Sequence, residues 1–489
     1  MGIVLNQSFK NMLATYVGFG FGAVNTLFLY TNFLGEEFFG LVMFILAGAL
    51  IIQPLLSFGI QDTIIKFYSS YTDEKNQKRF LTWMLILPLV VVVPFGVIGF
   101  IFRNSISEWL SIKNELIKPY AFLIFIIGFS MAYFEVFYAW CKVHLKSVFG
   151  NVMKEIFARV CVSILLILVF LKVITNEQFL YGLTFVYIGR TVFMMWYAFF
   201  LKRPSLGLKP LKNINEIIRY ATFIVLAGSV VIVLLEIDKQ MIGILKEGLG
   251  NVAYYGVATF IATVIVVPNR AMSQITHPLT AELINKNDLI GLNSLYRKTS
   301  LNLFTVGGLI FLLIILNVDQ LYEIIDPAYK QGILVVILIG IAKLMDNVMG
   351  NSTSILYNSK YYKMVLVLGV ALAIFTILFN WILIPKMGIN GAAVATLLSL
   401  LIYNTIKVIV VWRSFKIHPF QNEQLIILAA LLGFSGLFYF WNFWFHPIIN
   451  ILLKSVVVGI LYLFLIYKLQ VSTDINTLAD SFLGKRKAQ

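Results

Sequence analysis

The chain has 489 residues, of which 60% are hydrophobic and only 12% are charged. Soluble domains carry about 25% charged residues, so this composition excludes a soluble protein built of several domains. There are 38 Lys and Arg residues against 23 Asp and Glu, which gives a net charge of +15, and the two cysteines, Cys141 and Cys161, are too few for a disulfide scaffold. The sequence therefore predicts an integral membrane protein.

Fourteen apolar stretches are long enough to cross a bilayer, which takes about 20 helical residues. In chain order, spans one to fourteen are predicted at 11–31, 38–66, 80–102, 119–141, 148–172, 178–201, 216–243, 252–276, 297–317, 328–357, 361–384, 389–413, 423–442 and 446–469. Their apolar runs are continuous, unlike the alternating strands of a membrane barrel. The first residues lack the layout of a cleavable signal peptide, so we expect span one to remain in the mature protein.

The basic residues are distributed unevenly between the loops. When the N-terminus is placed in the cytoplasm, roughly seven in ten of the 38 Lys and Arg residues fall on the cytoplasmic side. This predicts that both termini are cytoplasmic, and it explains most of the net positive charge as a topology signal. Nucleic-acid binding has no support, because no soluble domain combines a basic face with interleaved aromatic residues.

The two sides of the polar linker at 202–215 resemble each other. Residues 34–45, which enter span two, and 249–261, which enter span eight, share Leu-Gly, an aromatic pair, Gly and a later Phe-Ile. We infer a six-helix repeat used twice in the same orientation, with the substrate site at its interface. The alternative to a repeat is that Leu-Gly and Phe-Gly pairs recur by chance at membrane turns. The predicted fold is an all-α polytopic membrane protein with an N-lobe (1–203), a C-lobe (204–415) and two added helices with a cytoplasmic tail (416–489).

Three segments carry a family resemblance. They are 56–67 (LSFGIQDTIIKF), 236–243 (EIDKQMIG) followed by Gly250 and 254–258 (YYGVA), and 384–396 (IPKMGINGAAVAT). In order and spacing they resemble the polysaccharide flippases (Wzx-like branch) of the multidrug/oligosaccharidyl-lipid/polysaccharide (MOP) exporter superfamily. The resemblance implies two six-helix lobes around a V-shaped cavity and transfer of a lipid-diphosphate-linked oligosaccharide by alternating access. The acidic ion sites and arginine sets of the drug-antiporter and lipid II flippase branches do not align with this chain.

Charged side chains inside the spans are the candidate substrate-binding residues, because a charge at mid-bilayer costs about 2.5–3.5 kcal/mol on insertion scales. Arg190 lies near the middle of span six, which has no acidic residue close to it. Either it pairs with Glu135 of span four, or its guanidinium binds a diphosphate. Arg270, near the cytoplasmic end of span eight, is either a snorkelling anchor or a residue that captures the substrate headgroup.

Span ten carries a polar stripe, and spans two and eight carry candidate hinge prolines. Lys343, Asp346 and Asn347 lie close together in span ten, which predicts either a cavity wall or a structural lock. Pro54 in span two and Pro268 in span eight each remove a backbone donor and are candidate hinges for gating.

Two further charged groups lie toward the ends of spans. Glu236 and Lys239 share a face of span seven while Asp238 points elsewhere, and this group either lines the cavity or caps the outer interface. Asp62 and Lys66 are spaced i,i+4 in span two, which predicts either an interfacial ion pair or a gating pair.

The sequence contains no motif of a hydrolase, a phosphate-binding loop or a metal site, and its four histidines are scattered. The resemblance and the buried cations together predict a flippase of a bacterial inner membrane that acts in O-antigen or capsule-type polysaccharide synthesis. No cofactor is expected, and the coupling ion is left open between proton and sodium. Expected partners are the lipid-linked oligosaccharide, membrane lipids and other polysaccharide-assembly membrane proteins. The alternatives are a cation-coupled multidrug antiporter of the same fold and a membrane glycan polymerase or glycosyltransferase.

Overall fold

The computed structural model of the chain describes residues 2–205, 211, 213–442 and 445–482. Within those residues the secondary structure is helical, without strands. The chain divides into two compact units, Met1–Ala253 and Tyr254–Gln489. All fourteen predicted spans are helical over most of their length, which confirms the all-α membrane fold. The predicted lobe boundaries after residues 203 and 415, the orientation and the exact number of spans stay predictions.

The helices of the first unit follow the predicted order, with several interruptions. Spans one to seven are Gly2–Val24 with Tyr30–Phe33, Glu36–Ser57 with Ile60–Phe67, Glu74–Ile86 with Leu89–Ile101, Phe122–Val143, Ser147–Val152 with Ala158–Phe170, Asn176–Leu201 and Ile214–Leu245. Asn25–Leu29 and Met153–Phe157 are π-helical, Arg103–Leu110 is a short α-helix, and Tyr68–Ser70 and Glu115–Tyr120 are 3-10 turns.

The second unit holds the remaining spans. Spans eight to fourteen are Gly250–Thr263 with Val267–Asn285, Leu289–Ile325, Ile333–Val348 with Ser352–Tyr357, Tyr362–Met387, Ile389–Phe415, Asn422–Phe438 and Pro447–Lys468, and Thr473–Phe482 follows as a short helix. Span eight begins in the first unit and continues into the second. Val264–Val266 and Pro327–Gly332 are 3-10 turns.

The helices have the length and hydropathy of membrane spans. Eleven of the described helices are long and apolar enough to cross a bilayer, and Asn422–Phe438 is a shorter apolar helix. The two other predicted spans, five and seven, each carry several charged side chains in their membrane segment. The chain is therefore a multi-pass membrane protein, as its composition predicted.

Span two is interrupted close to one predicted hinge. Phe58 and Gly59 both have positive φ, at 51° and 63°, and they separate the two helical segments of the span. Gly59 fits because a Cβ at this position would lie 2.8 Å from the Ala221 carbonyl oxygen of span seven. The buried Pro54 precedes the interruption by one turn. The sequence predicted span two as one continuous span, 38–66, and a gating role for Pro54 stays a prediction.

Each unit has its own apolar core. In the first unit, Phe80, Phe134 and Trp140 are fully buried in one cluster between spans three, four and six. In the second unit, Leu312 and Tyr462 belong to a cluster that joins span nine to the last two spans. The added helices of the predicted tail region are therefore packed onto span nine and not loosely appended.

Candidate functional site

Arg190 is the most unusual side chain of the first unit. Span six buries it to 7% exposure, with its guanidinium carbon 4.2 Å from the centre of the Phe134 ring and 4.8 Å from that of Tyr187. Among the described residues it has no ion pair, and its Nε atom is buried without a hydrogen-bond acceptor. A desolvated cation–π contact stabilises by about 2 kcal/mol, whereas burial of an ion costs several kcal/mol. The ring contacts therefore offset only part of the cost of burying Arg190. The arrangement leaves a cation able to accept an anionic ligand.

The predicted partner of Arg190 is paired with another residue. Glu135 of span four contacts Lys154 of span five, with 2.5 Å between the carboxylate oxygen and Nζ. The next residue of span five, Glu155, pairs with Arg159, one turn further along the helix, at 3.2 Å. Glu135 and Glu155 remain within electrostatic range of Arg190. We call these five residues the N-terminal charge cluster, and it contains three cations against two carboxylates.

Two π-helical turns hold this cluster in place. Met153–Phe157 carries Lys154 and Glu155, and the facing turn of span one, Asn25–Leu29, contains Asn25. The Asn25 side chain donates to the Arg159 carbonyl oxygen at 2.8 Å and accepts from the Ser163 hydroxyl at 2.6 Å. π-Turns inside α-helices occur frequently at functional sites. Sequence reasoning assigned Lys154 and Arg159 to the cytoplasmic basic residues and so missed their part in the cluster.

The Asp62–Lys66 pair predicted in span two does not form. Lys66 is exposed and lies over the Tyr220 ring, with its Nζ 3.7 Å from the ring centre. Asp62 is half-buried, and Lys142 and Glu135 are the charged groups that act on it electrostatically. Asp62 is therefore oriented toward the N-terminal charge cluster and Lys66 toward span seven.

Span seven carries the predicted charged group near its end. Glu236 and Lys239 do share a face, and their carboxylate and ammonium groups are 2.6 Å apart. Asp238 points elsewhere, as expected, and is buried to 4% exposure. The neighbouring Gln240 side chain donates to the Phe44 carbonyl oxygen of span two, so this end of span seven is fastened to span two.

Polar contacts in the first unit also fix the start of span eight. The Glu37 carboxylate accepts from the backbone N–H groups of Leu249, at 2.9 Å, and Gly250, at 3.4 Å. The Asn114 side chain donates to the Gly243 carbonyl oxygen at 2.7 Å. Glu37 belongs to one copy of the predicted repeat and Gly250 to the other, so the two repeated turn segments contact each other.

In the second unit, span eight is broken beside the predicted hinge. The 3-10 turn Val264–Val266 separates its two α-helices, and Pro268 lies in the first turn of the second. The fully buried Asn347 of span ten donates to the Ile265 carbonyl oxygen at 3.0 Å, and Gly307 leaves room for the Asn347 amide. Interrupted helices in transporters are tolerated where other groups satisfy the freed backbone atoms.

We expect Asn347→Ala to destabilise the second unit by about 1–3 kcal/mol, because it leaves the Ile265 carbonyl oxygen buried without a donor. Thermal unfolding of the purified protein in detergent measures the change. Asn269→Ala is the control, since it removes the 3.5 Å contact from Asn269 Nδ2 to Asn347 Oδ1 and the 3.0 Å hydrogen bond from the Ser273 hydroxyl but leaves the Asn347 donor on the Ile265 carbonyl oxygen. Equal stability of the two variants would contradict a role for Asn347 in holding the break.

The carboxylate of the span-ten group has a partner on another span. Asp346 pairs with Lys407 of span twelve at 3.8 Å, and Lys407 is buried to 3% exposure of its side chain. The Lys407 Nζ also lies 3.3 Å from the Thr353 hydroxyl and 4.8 Å from the centre of the Tyr403 ring. Sequence reasoning counted Lys407 among the cytoplasmic basic residues, although its position within an apolar run was a usable signal.

The two remaining predicted cations have no ion-pair partner in the described part of the chain. Lys343 is half-buried and lies one turn before Asn347 in span ten, and Arg270 is exposed and follows Asn269 in span eight. A further buried cation went unpredicted. Lys454 of span fourteen is 1% exposed and donates to the Leu316 carbonyl oxygen at 2.8 Å, which makes it a structural contact between spans nine and fourteen.

The chemistry available at these positions is electrostatic binding. In the described residues, no group of three or more His, Cys, Asp or Glu side chains is placed to hold a metal ion. Each unit by itself contains a membrane-buried cation, Arg190 in the first and Lys407 in the second, together with carboxylates. Charged groups of this kind inside the membrane can bind a polar anionic ligand.

Comparisons with known proteins agree with this picture. A family model described as "Polysaccharide biosynthesis protein" matches residues 4–283. Among solved structures, the lipid II flippase MurJ in an inward closed conformation aligns with a TM-score of 0.72 and 13% identity over 94% of this chain and 99% of that chain.

Two other MOP-type structures are similar. A MATE transporter of Vibrio cholerae aligns with a TM-score of 0.56 and 14% identity, over 85% of this chain and 98% of its own. A MOP superfamily transporter from Pyrococcus furiosus aligns with a TM-score of 0.54 and 13% identity, over 85% of this chain and 95% of its own. At these identities the similarity shows the fold alone. No curated protein matches the sequence significantly.

Proposed function

The chain belongs to the polysaccharide biosynthesis protein family, and from that premise we propose that it is a flippase for a polyprenyl-diphosphate-linked oligosaccharide. It moves this lipid from the cytoplasmic to the outer leaflet of a bacterial inner membrane by alternating access, in the synthesis of O-antigen or capsule-type polysaccharide. Membership of the MOP superfamily, predicted from the three motifs, is confirmed by the family and the fold. Both place the chain with transporters and not with enzymes, so the polymerase or glycosyltransferase alternative is set aside.

The observation that carries the proposal is Arg190. A lipid-linked sugar must bring its diphosphate through the membrane, and a planar guanidinium is suited to bind phosphate oxygens in pairs. Arg190 is a buried cation whose described surroundings provide aromatic rings and no paired carboxylate. The surplus of cations in the N-terminal charge cluster favours a ligand that is anionic.

The second unit supplies the matching polar groups. Asp346, Lys407 and Asn347 lie beside the interruption of span eight, and the predicted cations Lys343 and Arg270 flank them along the chain. Hydroxyl, amide and carboxylate groups are the hydrogen-bonding partners that a sugar chain requires. These residues of the second unit are therefore proposed to contact the oligosaccharide during transport.

The runner-up is a cation-coupled multidrug antiporter, because MATE structures share the fold. That activity calls for an acidic pocket able to hold a cationic drug. In the N-terminal charge cluster, however, both carboxylates are already paired with Lys154 and Arg159. Membrane proteins that polymerise or export the glycan are the expected partners of the flippase, and a proton or sodium gradient is the proposed energy source.

Purified protein in liposomes tests the proposal. A fluorescent polyprenyl-diphosphate oligosaccharide should be translocated at least tenfold faster than in empty liposomes, and a matched glycolipid without the diphosphate should not be. Repeating the assay with a proton or a sodium gradient identifies the coupling ion. Efflux of small organic cations without movement of the diphosphate lipid would establish the antiporter instead.

A further inference from the structure

The second unit contains a cavity that the proposed transport does not use. It has a volume of about 650 Å³ and lies between the start of span nine, the end of span ten and the start of span thirteen. By the predicted topology this is the cytoplasmic surface of the membrane. The volume is in the range of small-molecule sites, which are about 300–1,000 Å³.

The cavity is polar at one end and apolar at the other. The charged and ionisable residues of its lining are Arg297, His418 and Glu423, and the His418 ring is stacked on Phe420 at a centroid distance of 6.3 Å. Phe304 lies two helical turns from Arg297, about 10 Å at 1.5 Å per residue, toward the membrane interior. Leu425 and Leu428, on the first turns of span thirteen, are exposed and therefore face lipid. The change from charged to apolar lining residues matches a phospholipid, which has a charged headgroup and an apolar acyl chain.

Two opposite charges in the cavity are left without partners. Among the described residues, neither Arg297 nor Glu423 forms an ion pair, with each other or with any other side chain. The Nε atom of Arg297 is buried without an acceptor. A ligand that carries both a negative and a positive group would neutralise both residues, whereas an anion alone would leave the Glu423 carboxylate facing a like charge.

Hydrogen bonds hold the walls of the cavity in place without a ligand. The Gln421 side chain donates to the Arg297 carbonyl oxygen at 2.7 Å, and Gln424 donates to the Ser300 hydroxyl at 2.7 Å. Ser300 in turn donates to the Val348 carbonyl oxygen at the end of span ten. The three helices that form the cavity are thus fixed to one another, which lowers the entropic cost of binding.

We propose that this cavity binds one phosphatidylethanolamine molecule. The phosphate lies at Arg297 and His418, the primary ammonium group pairs with Glu423, and an acyl chain runs along Leu425 and Leu428. The site is separate from the proposed transport path, so binding does not depend on whether the protein moves a glycolipid.

Native mass spectrometry of the full-length protein in detergent tests the site. The probes are phosphatidylethanolamine, phosphatidylglycerol and phosphatidylcholine with identical acyl chains. We expect the wild type to retain phosphatidylethanolamine about tenfold more strongly than either other lipid, since one hydrogen bond between charged groups has that effect. Arg297→Met should reduce binding of all three lipids. Glu423→Gln should remove only the preference for phosphatidylethanolamine and leave phosphatidylglycerol bound, which also shows that the variant is folded.

Glu216→Gln is the matched control, because Glu216 also lies in the first turn of a span on the same predicted side, at the start of span seven. It should leave the preference unchanged. Equal retention of all three lipids would indicate non-specific boundary lipid and overturn the proposal. Stronger retention of phosphatidylglycerol, or a Glu423→Gln variant that keeps the ethanolamine preference, would overturn it as well.

Discussion

Replacing Arg190 by methionine is expected to reduce lipid-linked oligosaccharide transport by about a hundredfold or more while leaving the protein at least as stable as the wild type. A hydrogen bond to a charged group contributes about 1.5–3 kcal/mol, and a guanidinium offers two to a diphosphate. Loss of both corresponds to about 3–6 kcal/mol, and each 1.4 kcal/mol changes an equilibrium constant tenfold. Arg190→Lys keeps the positive charge but cannot form the paired hydrogen bonds of a guanidinium. Its transport rate should therefore lie between that of the wild type and that of Arg190→Met.

Stability is the measurement that separates a binding role from a structural one. Arg190 has no ion pair in the described residues, so its removal strands no buried carboxylate. Methionine fills a similar volume between the Phe134 and Tyr187 rings and avoids the cost of burying a cation. Thermal unfolding in detergent should therefore show an unchanged or raised midpoint. A marked loss of stability together with normal transport would contradict the assignment of Arg190 to the substrate.

The chain offers a matched control for this experiment. Arg103 also lies over an aromatic ring, with its guanidinium carbon 5.2 Å from the centre of Phe100, but its side chain is exposed at the end of span three. Arg103→Met removes a cation and a ring contact without touching the N-terminal charge cluster. We expect it to keep transport within about twofold of the wild type, because an exposed cation–π contact contributes only about 0.5–1 kcal/mol.

The fold was predictable because span formation depends on hydropathy, which a single sequence displays directly. The interruptions were harder to locate. Pro54 was the hinge candidate of span two, but it lies within a continuous helix, and the positive φ values fall at Phe58 and Gly59, where the absence of a Cβ on Gly59 allows close approach of Ala221 of span seven. Such a close approach depends on how two helices pack. In span eight, Pro268 follows the 3-10 turn and is accommodated in the first turn of the next helix, where a missing N–H costs nothing.

The sequence identified which charged residue of the candidate site lies in mid-membrane, but it did not identify which charged residues pair with one another. Arg190 stood out because it interrupts an apolar run. For its partner the sequence left two interpretations open, an ion pair with Glu135 of span four or binding of a diphosphate. In the structure Glu135 pairs with Lys154 and Glu155 pairs with Arg159, and Lys154 and Glu155 both lie within the π-turn Met153–Phe157. No pattern in the sequence marks a π-turn of this kind.

Lysines near span ends were the least predictable group. In the topology count Lys407 was assigned to the cytoplasmic side and Lys454 to the outer side, because a long side chain can reach the membrane surface from within a span. In the structure both are buried, Lys407 against Asp346 and Lys454 against backbone carbonyl oxygens. Whether such a lysine reaches the membrane surface or is buried depends on how its helix is rotated about its own axis. The packing of neighbouring helices sets that rotation.

The Asp346–Lys407 pair decides between the cavity wall and the structural lock predicted for span ten. Asp346→Asn leaves the Lys407 ammonium buried with only the Thr353 hydroxyl and the Tyr403 ring near it. Loss of one partner of a fully buried pair costs about 3–5 kcal/mol. Asp346 is 40% exposed, so we expect a smaller loss, about 1–2 kcal/mol, measured as thermal unfolding in detergent.

Lys407→Met should cost less than Asp346→Asn, because the freed carboxylate is partly exposed and methionine packs well in the buried position. The double variant should regain most of the stability lost in Asp346→Asn. If all three variants are as stable as the wild type but transport fails in each, the pair is part of the cavity wall and the structural assignment is wrong. If stability follows the expected order and the double variant still transports, the pair is a lock between spans ten and twelve, and binding of the substrate depends on the N-terminal charge cluster.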